Sequence, residues 1–195
     1  MLPARKKQLY NVLPSPFAER NIPFGEREKV NTMRKISLPL TRNVIKTLRQ
    51  GEQVLLNGAL LTARDAAHKR LIDTLKSGKK IPVSLKGETI YYTGPTPARI
   101  GEVIGSCGPT TSARMDPFTL LLLKHGLLGM IGKGERSKEV RLAIKKHGAV
   151  YFITIGGAGA YLSEKVKSAE VIAYKDLGPE AIYRLIVEDF PAIVT

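Results

Sequence analysis

The hydrophobic and polar positions become periodic only from Ile36 onward, and from there they switch repeatedly between two spacings. Ile36 to Leu40 reads as a short strand, and Thr41 as the cap of a helix carrying Val44, Ile45 and Leu48. Gln53 to Leu61 reads as a strand entering a turn at Asn57-Gly58. Ala63, Ala66, Ala67, Leu71 and Leu75 share one face of a helix over Thr62–Leu75, which Ser77-Gly78 stops. Ile90-Tyr91-Tyr92 is a strand, Gly94 to Pro97 a rigid turn, and Ile100 to Ile104 a weaker strand. Asp116-Pro117 reads as an N-cap followed by proline at the first helical position, opening a helix through Leu120–Leu123. Ser137 to His147 is amphipathic with Gly148 as its C-terminal cap. Val150 to Ile155 and Val171 to Tyr174 read as strands, Glu180 to Val187 as a last helix, and the rest to Thr195 as an extended tail. Alternating strands and helices predict an α/β fold.

Residues 1–34 differ. Pro3, Pro14, Pro16 and Pro23 interrupt them, and seven Lys/Arg oppose three Glu. This segment reads as an N-terminal extension, flexible or used as a partner-binding arm, ahead of a domain over 35–195.

Composition narrows the class. The 195 residues suit one domain, and a single cysteine, Cys107, excludes an intrachain disulfide and a cysteine-rich metal site. No apolar run approaches the roughly 20 residues that span a membrane, and no signal peptide is visible, so a cytoplasmic protein is expected. The net charge of +14 suggests an anionic partner. With 6% aromatic residues and scattered Lys and Arg, no nucleic-acid-binding motif accompanies that charge.

The cations beside glycine-rich turns carry more information. Arg64 falls in the first turn of a helix, where a cation is unfavourable unless an anion intervenes; an ordinary pair with Asp65 is the alternative. Gly108 to Asp116 places Thr110, Thr111 and Ser112 near a helix start, an anion cradle to which Arg114 adds a carboxylate-gripping fork. Lys133 stands between Gly132 and Gly134, without the spacing of a phosphate loop. Gly156 to Ala160 lacks dinucleotide spacing and reads as close packing of helix on strand. His68, His125 and His147 show no metal spacing, although His68 lies one turn past Arg64 and could face the same site. Cys107 reads as a small buried residue rather than a nucleophile. Arg64, Arg114 and Lys133, with Thr110 and Thr111, describe a receptor for a small, doubly negative, oxygen-rich ligand, with no complete catalytic machine beside it.

Five segments then occur in order: G-A-L-L-T-A-R-D-A-A-H-K-R from Gly58, Y-Y-T-G-P-T from Tyr91, G-P-T-T-S-A-R-M-D from Gly108, G-K-G from Gly132, and F-I-T-I-G-G-A-G-A from Phe152. Over about Ile36 to Val194 the chain resembles the β subunit of the class I, iron–sulfur-dependent fumarate and tartrate hydro-lyases, equivalent to the C-terminal domain of the single-chain enzymes. The resemblance implies a swivelling β/β/α domain and reversible hydration of fumarate to L-malate, or dehydration of L-tartrate to oxaloacetate. It implies an α-subunit partner, as a heterodimer or α2β2 assembly, holding a [4Fe–4S] cluster by three cysteines. The open iron would act as a Lewis acid. It also implies carboxylate binding at Arg64 and Arg114, a catalytic base at Thr110, and substrate contacts at Thr111 and Lys133. From other classes, a basic nucleic-acid-binding module and a non-catalytic dicarboxylate-binding protein remain alternatives.

Overall fold

The computed structural model describes residues 33–195. The extension expected over 1–34 lies, up to residue 32, outside the described residues, and the first strand, β1, begins at Arg34 (Arg34–Ser37). The order continues α1 (Arg42–Thr47), β2 (Gln53–Thr62), α2 (Asp65–Lys76), β3 (Thr89–Tyr91), α3 (Asp116–Lys124), β4 (Gly129–Gly132), α4 (Lys138–His147), β5 (Val150–Ile153), α5 (Gly159–Glu164), β6 (Val166–Ala173) and β7 (Ile182–Val194). The α/β expectation holds at this level: one seven-stranded mixed sheet with helices.

Strands β2, β3, β4 and β5 run parallel to one another, and β7 runs antiparallel to both β2 and β5. Those pairings close a ring, β2–β3–β4–β5–β7–β2. β1 extends the pairing on β2, and β6 that on β7. Alternation along each strand sorts side chains into two cores. Tyr91, Ile131 and Phe152 join Leu56, Leu60, Leu185 and Phe190 in one cluster. Their neighbours Ile90, Tyr92, Met130 and Tyr151 join the second, with Leu71 of α2, Leu122 of α3 and Ala143 of α4. Strands buried on both faces read as continuous apolar runs, as Ile90-Tyr91-Tyr92 does.

Helix ends follow the sequence closely where a side chain makes the cap. The Thr41 hydroxyl accepts from the Val44 N–H at 3.3 Å, and the Ser137 hydroxyl from the Val140 N–H at 3.3 Å. Gly148 ends α4 in the left-handed region at φ 61°. At α3 the expected cap is displaced: a 3₁₀ turn over Ser112–Met115 leads directly into the helix, so Asp116 is its first residue. The helix expected over Thr62–Leu75 begins only at Asp65, because Thr62 still belongs to β2.

Two expectations fail. Glu180–Val187 is not a helix; β7 begins at Ile182 and runs to Val194. Ile182, Leu185 and Ile186 mimic helical spacing, but Leu185 and Val187 are buried while Arg184, Ile186 and Glu188 face out. The run Tyr183 to Val187 is also rich in residues that favour a pleated surface. Ile100 to Ile104 is not a strand but a turn, with Ile100 fully exposed. Val171–Tyr174 captures only the end of β6.

Gly58 fixes the register of β2 against β7. It sits at a bulge between Leu56 and Gly58 with φ +120°, and an added Cβ would lie 2.6 Å from the Leu38 carbonyl oxygen. Gly58→Ala combines a disfavoured backbone with a clash against main chain. The expected cost is about 2–4 kcal/mol, read as a lower urea midpoint with unchanged slope. A midpoint equal to wild type would contradict this account of the bulge.

Candidate functional site

The four parallel strands deliver their carboxyl ends to one rim, and in α/β sheets that rim is where ligands bind. β2 ends at Thr62, whose buried hydroxyl accepts from the Tyr183 N–H at 3.0 Å and so ties the rim to β7. Arg64 then takes the N-cap position of α2 in an extended conformation, with no side-chain cap of its own. The carboxylate of Glu180 supplies the missing acceptor: the Ala66 N–H donates to its Oε2 at 2.7 Å. An anion at a helix N-terminus is favourable.

The Arg64 side chain lies across Gly94, where a Cβ would come 2.8 Å from its Cδ. Arg64 Nε is 3.4 Å from Glu180 Oε1 and 3.4 Å from Asp65 Oδ2. Arg114 Nη2, from the 3₁₀ turn, reaches the same Asp65 Oδ2 at 2.9 Å. Two guanidiniums thus converge on one carboxylate oxygen. The pair with Asp65 that the sequence offered as an alternative to a ligand-binding Arg64 does form, but Asp65 shares it with Arg114, and Arg64 is only about a quarter exposed (28%). In the same 175–180 segment, Arg70 forks Asp176 with two bonds of 2.8 Å.

Thr110, Thr111 and Lys133 come together through the backbone. The Thr110 N–H donates to the Tyr92 carbonyl at 2.6 Å, and the Lys133 N–H to the Thr110 carbonyl at 3.2 Å. The Ser112 N–H donates back to the Lys133 carbonyl at 2.9 Å, so Thr111 and Lys133 form an isolated parallel bridge. The 110–112 segment is therefore an extra rung laid beside the end of β4. Such close approach requires Gly132, since a Cβ there would strike Ser112 Oγ and come 2.9 Å from a Tyr92 ring carbon. Thr111 and Lys133 are exposed and Thr110 half-buried. The Lys133 stem runs near Gly156, whose Cβ would be 3.6 Å from Lys133 Cδ.

Of Gly156–Ala160, Gly159 is closely packed, but against the 106–108 loop rather than a strand: a Cβ there would strike Ser106 Oγ and come 2.9 Å from the Gly108 nitrogen. His68 does not face the site. It is fully buried between Tyr92 and Phe118, with Nδ1 3.0 Å from the Arg64 carbonyl and Nε2 without a partner among the described residues. Burial pushes its pKa down to about 4, helped by the charge of Arg136 and opposed by Asp65 and the Arg64 carbonyl.

A histidine depressed from about 6.5 binds its proton more readily unfolded than folded. Its contribution is therefore complete above pH 6.5 and lost as pH falls toward 4, by about 3 kcal/mol in all. Melting temperature should drop across that window, and His68→Gln should flatten the dependence. An equally steep profile in that variant would contradict the assignment.

Sequence reasoning missed Glu180, which it placed in a helix, and Arg136, whose side chain is 1% exposed beside Asp116. A lone arginine after a glycine turn carries no signal of burial. Only its neighbours in space reveal it.

The chain's donor set does not fit an iron–sulfur cluster. Cys107 is the single cysteine, it is buried, and burial pushes its thiol up to about 12. Cluster ligands are thiolates, normally several. Among the described residues no group of three His, Cys, Asp or Glu is placed to hold a metal ion. No helix of the described residues is long and apolar enough to cross a membrane.

Comparison with known proteins bears on this geometry. The family model described as "Fumarase C-terminus" matches residues 10–195. The anaerobic class I fumarate hydratase of Escherichia coli (strain K12) is 39% identical over 175 residues, covering 87% of this chain and 31% of that protein. Fumarate hydratase 2 of Leishmania major is 42% identical over 146 residues, covering 74% of this chain and 26% of that protein. The chain thus spans less than a third of these enzymes. A Methanocaldococcus jannaschii protein, provisionally named an L(+)-tartrate dehydratase subunit beta, is 38% identical over 160 residues, covering 80% of this chain and 82% of that one.

Proposed function

The chain belongs to the fumarase C-terminus family, and on that premise we propose that it is the substrate-binding β subunit of a hydro-lyase acting on a C4 dicarboxylate. Fumarate, hydrated reversibly to L-malate, is the substrate we assign. The carrying observation is the convergence of Arg64 and Arg114 on Asp65 Oδ2, on the rim that also bears Thr110, Thr111 and Lys133. We further propose that this ring-closed sheet is the swivelling β/β/α domain of that enzyme class and that the subunit works in the cytoplasm.

Because this chain's residues do not fit the cluster, we assign the [4Fe–4S] group to a separate α subunit, paired as a heterodimer or α2β2. A substrate carboxylate competes with Asp65 for the two guanidiniums. Charge-assisted, bidentate contacts favour the exchange. The local balance favours an anion as well, since Arg64, Arg114 and Lys133 outnumber Asp65 and Glu180. Thr111 and the Lys133 ammonium bind oxygen atoms of the substrate.

Hydration adds hydroxyl to one alkene carbon and hydrogen to the other. In the reverse direction the proton leaves the carbon beside a carboxylate, and Thr110 Oγ is the group we assign to receive it. A threonine hydroxyl is a weak base alone, and nearby cations lower the cost of its ionised form.

The tartrate reading has an observation of its own: the M. jannaschii relative matches along nearly its whole length, as a separate subunit would. Assaying the assembled enzyme with fumarate and L-tartrate separates the two. Turnover of fumarate at least tenfold above that of tartrate is the expected result, and turnover of tartrate alone would transfer the assignment.

A further inference from the structure

We propose that Arg136 is a positioning residue that clamps together the two loops carrying Thr110 to Arg114 and Lys133. The inference rests on the reading of those loops as the substrate site. Arg136 itself touches none of the assigned substrate-binding side chains.

A buried guanidinium is costly unless its N–H groups are met. Here they are. Nε donates to Asp116 Oδ1 at 2.6 Å, Nη2 to Thr119 Oγ1 at 2.6 Å, and Nη1 to the Tyr92 hydroxyl at 3.2 Å. The cation also lies 5.4 Å from the Tyr92 ring centre and 5.1 Å from that of Tyr151. Such contacts are attractive and strengthen when desolvated.

The partners matter for where they lie in the chain. Asp116 is the first residue of α3, directly after the 110–115 loop. Its other oxygen accepts from the Ser137 N–H at 2.7 Å, at the start of α4 and directly after the 133–136 loop. One ion pair therefore joins the far ends of both loops. A second tie lies nearer the rim. The Tyr151 hydroxyl bonds the Gly134 carbonyl at 2.7 Å and Ser112 Oγ at 2.8 Å. A carbonyl only accepts, so the single phenol proton goes to Gly134 and Ser112 donates to the phenol oxygen. The third tie is the Thr111–Lys133 backbone bridge itself. Arg136, stacked on Tyr151 and bonded to Asp116, links the first two, and the third lies just beyond them. Small misplacements of a binding group cost large factors in rate, so a clamp of this kind has catalytic consequences without contact.

The test uses the full chain for exchange and the assembled enzyme for kinetics. In Arg136→Met, amide hydrogen exchange at Ser112 and Lys133 should accelerate about tenfold or more, while Leu56 and Leu60 in the ring stay as in wild type. Tyr151→Phe, which removes one tie and keeps the ring under the cation, should show the same pattern more weakly. It decides the matter if the Met variant does not fold. In the assembled enzyme kcat/KM should fall about tenfold in Arg136→Met, with partial recovery in Arg136→Lys. Unchanged exchange at Ser112 and Lys133, or an equal rise throughout the sheet, overturns the clamp. An assembled wild-type enzyme inactive on fumarate and tartrate overturns the substrate reading instead, and leaves the exchange result to judge Arg136 separately.

Discussion

Arg64→Ala is expected to lower kcat/KM of the assembled enzyme by about 10²- to 10³-fold. Removing a partly desolvated guanidinium from a carboxylate costs about 3–4 kcal/mol, and each 1.36 kcal/mol is tenfold. The protein should still fold. Arg64 is not in the core, Asp65 keeps Arg114 at 2.9 Å, and Glu180 keeps the Ala66 N–H at 2.7 Å. A thermal melt within a few degrees of wild type, beside the kinetic loss, would separate binding from stability. Arg114→Ala should have a smaller effect, because its side chain is 52% exposed against 28% for Arg64. A kcat/KM within threefold of wild type in Arg64→Ala would remove that residue from the site.

Thr110→Val is the second large effect, and it should appear in a different constant. Valine has the same shape, and both of the residue's backbone hydrogen bonds, to Tyr92 and Lys133, are untouched. Only the hydroxyl is lost. If that oxygen carries the proton, turnover falls by about 10²- to 10⁴-fold while KM stays close to wild type. Thr110→Ser should retain much of the rate. A rise in KM with unchanged kcat would make Thr110 a substrate contact and nothing more.

How far these residues were legible in the sequence depends on the physics behind each. Arg64, Arg114 and Lys133 stand out because cations beside helix starts and glycine turns conflict with local preference. That Arg64 and Arg114 meet on Asp65, and that Lys133 lies beside Thr111, depends on where β2, β3 and β4 end. Asp65 was visible as a neighbour of Arg64, but its second partner, Arg114, lies 49 positions away (114 − 65) and is brought there by the fold. Glu180 was hidden by the reading of residues 180–187 as a helix.

That misreading has a physical cause. β7 is paired on both edges; its own positive-φ residue, Asp189 at φ 49°, lies beyond the misread stretch, and the register shifts at Val166/Ser168 and Val171/Ala173 put their extra residues in β6. Within 180–187 the buried positions are Ala181, Ile182, Leu185 and Val187, a spacing that departs from strict alternation and looks helical over eight residues. The helices with side-chain caps, α1 and α4, were the most legible elements, because Thr41, Ser137 and Gly148 act locally. Arg136 was the least legible. Its burial depends on Asp116, Tyr92, Thr119 and Tyr151, none of them adjacent in sequence.

The central claim is that this chain supplies half of a site completed by an iron–sulfur subunit. Loss of fumarate absorbance, followed anaerobically for this chain alone, for a cluster-loaded α subunit alone, and for the two co-expressed, tests it most directly. The account predicts hydration by the pair and by neither chain separately. Full activity of the α subunit alone, or failure of the two chains to associate, would contradict it.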